Sequence, residues 1–293
     1  NRSLNDVCPA FLIDDWIAVE DKLKAYYRSF ILAKINMNEN CFFDLVPEQF
    51  LLEYCGIRDK ITQYVFENYE KPQNYDFMVD LTKVLARIRH QKLNIDVSSL
   101  SNQAHLAKFR KAMKKYSQID PYCRYNINGT KTGRLTTQKN SFPVMTMDKD
   151  FRSIVKPTND WFVELDFNAA EIRTLMALGG SEVPLEDIHD WNVRNLFNAG
   201  VTREEAKQKF FSWLYDENKT NPKLSKYYDR VVKTMFGREI EADRKHALNY
   251  IIQSTTADLV LRQVIKVHDM LRGMKSFIAF TIHDNIVLDI VDE

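Results

Sequence analysis

The 293-residue sequence holds only four cysteines, eight glycines and eight prolines. So little Gly and Pro excludes collagen-like and low-complexity chains. The cysteines, at positions 8, 41, 55 and 123, lie too far apart for a CxxC pair or a zinc knuckle, so free thiols in a reducing compartment are expected. Long apolar runs are missing too. The longest stretch free of charged and histidine side chains, Ala247 to Ala257, is eleven residues and contains Asn, Gln, Ser and Thr. A membrane helix needs about 20 apolar residues, so the chain is expected to be soluble, with no membrane partner. The opening Asn1-Arg2-Ser3-Leu4-Asn5-Asp6 does not read as a signal peptide, and no repeat suggests a solenoid. What is present is a core: 45% hydrophobic and 12% aromatic residues exclude a disordered chain.

Net charge is also scarce, with 41 Lys and Arg against 40 Asp and Glu. The balance hides an asymmetry. Between Ser101 and Lys139, nine basic residues (108, 110, 111, 114, 115, 124, 131, 134 and 139) face one acid, Asp120. A solvated helix face or a track for a polyanion, most often nucleic acid, would each account for it.

The first 120 residues read as helical. Phe77, Leu81, Val84, Leu85 and Ile88 recur at helical spacing, and a second amphipathic stretch, Ala104 to Tyr116, carries most of the basic run before Asp120-Pro121 ends it. Arg124 to Lys139, rich in Asn, Gly and Thr, predicts loops with short strands. Trp161 to Asp166 reads as a buried strand, followed by a helix that Gly179-Gly180 closes. Thr202-Arg203-Glu204-Glu205 is a capping box opening a helix to about Tyr215. A long helix is expected from about Glu241 to Arg272, ended by Gly273. Two β-rich runs follow, Phe277 to Ile282 and Ile286 to Val291, with His283-Asp284-Asn285 between them. Helices first, then mixed strands and helices, predict an α+β fold.

Two carboxylates stand out by position. Asp166 ends an apolar strand and Asp284 sits on the turn of the hairpin. A helix cap and an ordinary turn residue would explain each singly. Together they form what Mg²⁺ needs: one or two carboxylates, completed by substrate phosphate oxygens. On the helix from Arg203, residues Arg203, Lys207, Phe211 and Tyr215 recur every four positions and fall within about a 120° sector. Two like charges one turn apart seek an anion. A triphosphate would fit, with the aromatic residues beyond it available to a base; a basic surface above a core Phe is the plain alternative.

These segments, taken in order, resemble family A DNA polymerases, the bacterial DNA polymerase I type. Asp166-Phe167-Asn168-Ala169-Ala170-Glu171-Ile172-Arg173 looks like motif A, the Arg203, Lys207, Phe211, Tyr215 helix like motif B, and His283-Asp284 like motif C, with Thr132-Gly133-Arg134-Leu135 upstream. The resemblance covers about residues 125 to 291. It implies an α+β right-hand polymerase: a helical N-terminal and thumb region over 1–124, a first palm segment over 125–186, short helical fingers over 187–240 and a second palm segment over 241–293. It implies that Asp166, Asp284 and the Phe167 carbonyl hold two Mg²⁺ ions. Arg203 and Lys207 would hold the incoming triphosphate, with Lys207 among the catalytic groups, and His189 of Asp187-Ile188-His189 would touch phosphate. Phe211 would lie near the sugar 3′ position, Tyr215 beside the nascent base pair, and Glu171 would exclude a ribose 2′-hydroxyl. Arg134, Asn249, Gln253 and His283 would contact DNA.

The implied partners are primer–template DNA and dNTPs, with replication accessory proteins a further expectation, in the cytoplasm (a host's, for a phage enzyme). A single-subunit RNA polymerase, or a catalytically silent DNA-binding module on the same fold, are the alternatives; Glu171 argues against the first and the intact Asp166, Asp284, Arg203 and Lys207 against the second. The pattern also departs from the family. Asn285 replaces the usual Glu, Asp216 replaces a Gly, and only 33 residues separate Tyr215 from Asn249, so the fingers should be short. More palm would be expected beyond the hairpin. Residues 1–120 show no acidic proofreading triad, so no exonuclease is expected in this chain.

Overall fold

The computed structural model describes residues 3–195, 200–214, 228–243 and 246–292. The chain divides into two compact units, residues 1–72 and 73–293. No helix among the described residues is long and apolar enough to cross a membrane.

The first unit is helical: α1 (Leu4–Val7), α2 (Ile13–Leu32), α3 (Phe42–Leu45) and α4 (Glu48–Asn68). Ser3 and Asp6 form a reciprocal capping box at α1. Packing of α2 on α4 buries Trp16, Val19, Phe50, Tyr54 and Ile61.

The second unit begins with α5 (Tyr75–His90), whose Phe77, Leu81, Val84, Leu85 and Ile88 are all buried as their spacing requires. After β1 (Asn94–Ile95) comes α6 (Ala107–Tyr116), preceded by a 3₁₀ turn over Val97–Gln103. The short strands β2 (Tyr125–Asn126) and β3 (Thr136–Thr137) form an antiparallel pair, and β4 (Val155–Lys156) pairs with β1. Next are β5 (Trp161–Asp166), α7 (Ala170–Leu178), α8 (Ile188–Asn195) and α9 (Arg203–Leu214). Thr202 and Glu205 cap α9 reciprocally, as their spacing predicts. A small antiparallel sheet, β6 (Tyr228–Asp229), β7 (Val231–Lys233) and β8 (Glu239–Glu241), was not expected from sequence; its last residue, Glu241, is where the long helix was expected to start, and that helix, α10, instead spans Ala247–Met270. The chain then forms the hairpin of β9 (Phe277–Ile282) and β10 (Asn285–Ile290).

The three-stranded sheet runs β5–β10–β9, antiparallel throughout. Helix α10 packs against α5 on one side and α7 on another, contributing Ile251, Ile252, Val260, Leu261 and Val264 to the interior. One expectation is corrected here. Strand β5 is the edge of its sheet, and Trp161 (61% exposed), Val163 and Leu165 face outward rather than into a core. An apolar run cannot distinguish an edge strand from a central one.

Candidate active site

Register brings the two aspartates together. Asn285 of β10 lies opposite Asp166 of β5, and Asn285 also pairs with Ile282 of β9, leaving only His283 and Asp284 as the loop of the hairpin. Asp284 is therefore the residue beside the partner of Asp166. The loop turns tightly through His283, at φ +54°, a left-handed conformation that costs roughly 1–2 kcal/mol in a non-glycine residue. Ala169, at φ +50°, makes a second such corner between β5 and α7, and it sets Glu171 in the first turn of that helix.

Loss of water at the strand end, reinforced by the charges of Asp284 and Glu164, raises the proton affinity of Asp166 above that of an ordinary aspartate. Glu164 was not foreseen as a neighbour, although the two-residue period of a strand puts it on the same face. It accepts a long hydrogen bond from Asn285 Nδ2, at 3.4 Å, while Asn285 Oδ1 is buried without a hydrogen-bond partner among the described residues. This end of the sheet thus gathers carboxylate and amide oxygens. Hard oxygen donors suit Mg²⁺. Among the described residues no group of three or more His, Cys, Asp or Glu side chains is placed to hold a metal alone. Two carboxylates completed by phosphate oxygens require no such group.

A cavity of about 380 Å³ opens beside Asp284 and His283. Arg134 and Glu171 form another part of its wall and are joined to each other by an ion pair. Thus four of the residues singled out by sequence share one cavity. Helix α10 supplies Thr256, Ala257, Val260 and Leu261 to the same wall. Asn249 and Gln253 are half-buried and lie on the same stripe of α10 as Thr256 and Val260, within about a 60° sector, one to two turns from the cavity. Phe167 lines a separate cavity of about 330 Å³, and its backbone N–H hydrogen-bonds the Asp166 carboxylate.

The hairpin is fastened from its outer edge. Tyr125, buried in β2, donates its hydroxyl hydrogen to Thr281 O at 2.6 Å and accepts from Thr281 N at 2.8 Å. Sequence gave no sign of this contact, since a Tyr in a loop-rich stretch has many uses.

A second cluster joins α8 and α9. Asp187 accepts from the backbone N–H groups of His189 and Asp190 (2.9 and 3.0 Å) and from Arg203 Nη2 and Nε (2.8 and 3.3 Å). The Arg203 guanidinium therefore holds the Asp187 carboxyl well below the usual carboxylate range. His189 is buried, and burial together with the Arg203 and Lys207 charges lowers its proton affinity. Arg203 and Lys207, one turn apart on α9, lie close enough to His189 for their charges to act on it. The side chain of Phe211 and the whole of Tyr215 lie outside the described residues.

No protein-family model matches the chain. Among curated proteins it is 23% identical over 196 residues to a DNA polymerase of Mycobacterium phage D29 and 24% identical over 228 residues to DNA polymerase I of Chloroflexus aurantiacus. These alignments cover 47% and 56% of this chain, and the chain spans only 32% and 24% of those relatives. Among solved structures, the polymerase domain of Pol1 from M. smegmatis, determined in complex with DNA primer–template and dNTP, superposes with a TM-score of 0.61 at 13% identity, over 83% of this chain and 69% of that one. The α+β fold of this chain is therefore that of a polymerase domain, and its sequence resembles DNA polymerases of the DNA polymerase I, family A, type.

Proposed function

We propose that the chain is the catalytic part of a template-directed DNA polymerase, which joins a dNTP to a primer 3′-hydroxyl and releases pyrophosphate. The observation that carries this reading is the strand register that sets Asp284 beside the partner of Asp166, at the mouth of a cavity walled by Arg134 and Glu171. In this reading residues 1–124 form the thumb region, 125–186 and 241–293 the palm, and 187–240 the fingers.

Asp166 and Asp284, with the Phe167 carbonyl, would hold two Mg²⁺ ions, which when bound supply charge for the attacking and leaving oxygens. The remaining work falls to the chain's own groups. Arg203, Lys207 and His189 bind the triphosphate; for Arg203 this means exchanging the Asp187 carboxylate for phosphate oxygens. Glu171 fills the space a ribose 2′-hydroxyl would need. Arg134 and His283 meet the primer end, and Asn249 and Gln253 extend that contact along α10. Phe211 and Tyr215 complete the nucleotide site. Positioning and charge stabilisation, rather than covalent chemistry, carry the rate. The basic stretch 101–139 serves as a sequence-independent backbone track. Proofreading is assigned to no residue of this chain.

Primer extension on a primed single-stranded template tests the reading. Extension with dNTPs and Mg²⁺, lost in EDTA and weak with NTPs, is expected. Preference for NTPs would favour an RNA polymerase, and DNA binding without extension would favour a silent binding module.

A further inference from the structure

The tip of the β7–β8 hairpin, Thr234 to Arg238, is fastened to α10 twice. Arg238 donates from Nη2 to Asp258 Oδ1 at 2.6 Å and from Nε to Asp258 Oδ2 at 3.2 Å. The Asp258 side chain is 2% exposed, so its charge is tolerable only because the guanidinium fork engages both oxygens. One turn further along α10, the guanidinium of Arg262 lies 4.6 Å from the centre of the Phe236 ring and 4.5 Å from that of Phe77 on α5.

Arg238 also touches the chain where the cavity wall begins. A Cβ on Gly133 would run into Cζ and both terminal nitrogens of Arg238, and Gly133 holds φ +80°. That backbone conformation favours glycine, and a side chain there would have to displace the guanidinium that Asp258 holds. The next residue is Arg134, which lines the cavity beside Asp284 and pairs with Glu171. The residue before Asp258, Ala257, lines the same cavity.

We propose that Arg238 is a positioning residue for Arg134: it clamps the Thr132–Leu135 turn against Asp258 of α10 and so sets the reach of Arg134 into the cavity. This rests on the polymerase reading of that cavity. The clamp then governs how well the site grips a primer–template, while the chemistry stays with Asp166 and Asp284.

Non-additivity tests the clamp. Removing Arg238 alone would strand the buried Asp258 charge, so the variant of choice is Arg238→Met with Asp258→Leu, an apolar replacement that buried ion pairs commonly tolerate without loss of stability. It is compared with Arg134→Ala and with the combination of all three, by melting temperature, by primer–template Kd from fluorescence anisotropy and by KM and kcat of extension. Arg134→Ala and the apolar pair should each weaken Kd and KM by about tenfold with a smaller effect on kcat, and the combination should be no worse than Arg134→Ala. A further tenfold loss in the combination, or wild-type Kd and KM in the apolar pair, would overturn the proposal. An apolar pair that fails to fold is replaced by Arg238→Lys, which keeps the charge but not the fork, and the same non-additivity is required of it. The anisotropy arm needs no turnover, so a wild-type chain that binds but does not extend would contradict the polymerase reading while the clamp is still judged on Kd.

Discussion

Glu171 and Arg134 were each picked out singly, one for its place five residues after Asp166 and one for its place in Thr-Gly-Arg-Leu. Their ion pair across the cavity could not be read from sequence, because 36 intervening residues leave the contact to the fold. The pairing fixes the position of Glu171, which in the proposed polymerase would close over a nucleotide sugar. Glu171→Ala should therefore raise ribonucleotide incorporation relative to deoxynucleotide incorporation while polymerisation persists; unchanged discrimination would reject the gate. The strand-end carboxylates were legible because an acid at the end of an apolar run, or on the turn between two such runs, is conspicuous. Glu164 was not, since it sits inside the run, and the exposed Trp161 and Val163 around it read as core. Arg238 and Asp258 escaped notice for the opposite reason: a lone Arg and a lone Asp on separate elements carry no spacing signal.

Elements with strong periodicity were the most legible. Helix α5, the capping box of α9, the β9–β10 hairpin and the body of α10 follow from spacing and stop signals. The β6–β8 sheet did not, because strands of two or three residues are set by their partners rather than by pattern. The fastening of β9 belongs to the same class. Tyr125 satisfies both backbone groups of Thr281, and both residues are buried. Tyr125→Phe would leave a buried N–H and C=O without that partner, which should cost about 1–3 kcal/mol. Denaturant unfolding should show a lower midpoint with an unchanged slope, together with slower extension as the His283–Asp284 turn loosens. An unaltered midpoint would mean that water or a neighbouring group replaces the hydroxyl without loss.

For the whole molecule, the division at residue 72 was not legible, since helices on both sides of it share the same texture. The fold class was legible, and the polymerase-like order of motifs is matched by a polymerase-domain fold despite 13% identity. At that level of divergence the site, not the sequence average, has to carry the function. The central claim is that Asp166 and Asp284 act as one centre for nucleotidyl transfer. Its most direct test is single-nucleotide extension in Mg²⁺ by Asp166→Asn and by Asp284→Asn, with primer–template affinity measured on the same preparations. Each variant should lose extension by a factor on the order of 10³ or more while binding DNA with near wild-type affinity. Near-normal extension by either variant would contradict the account.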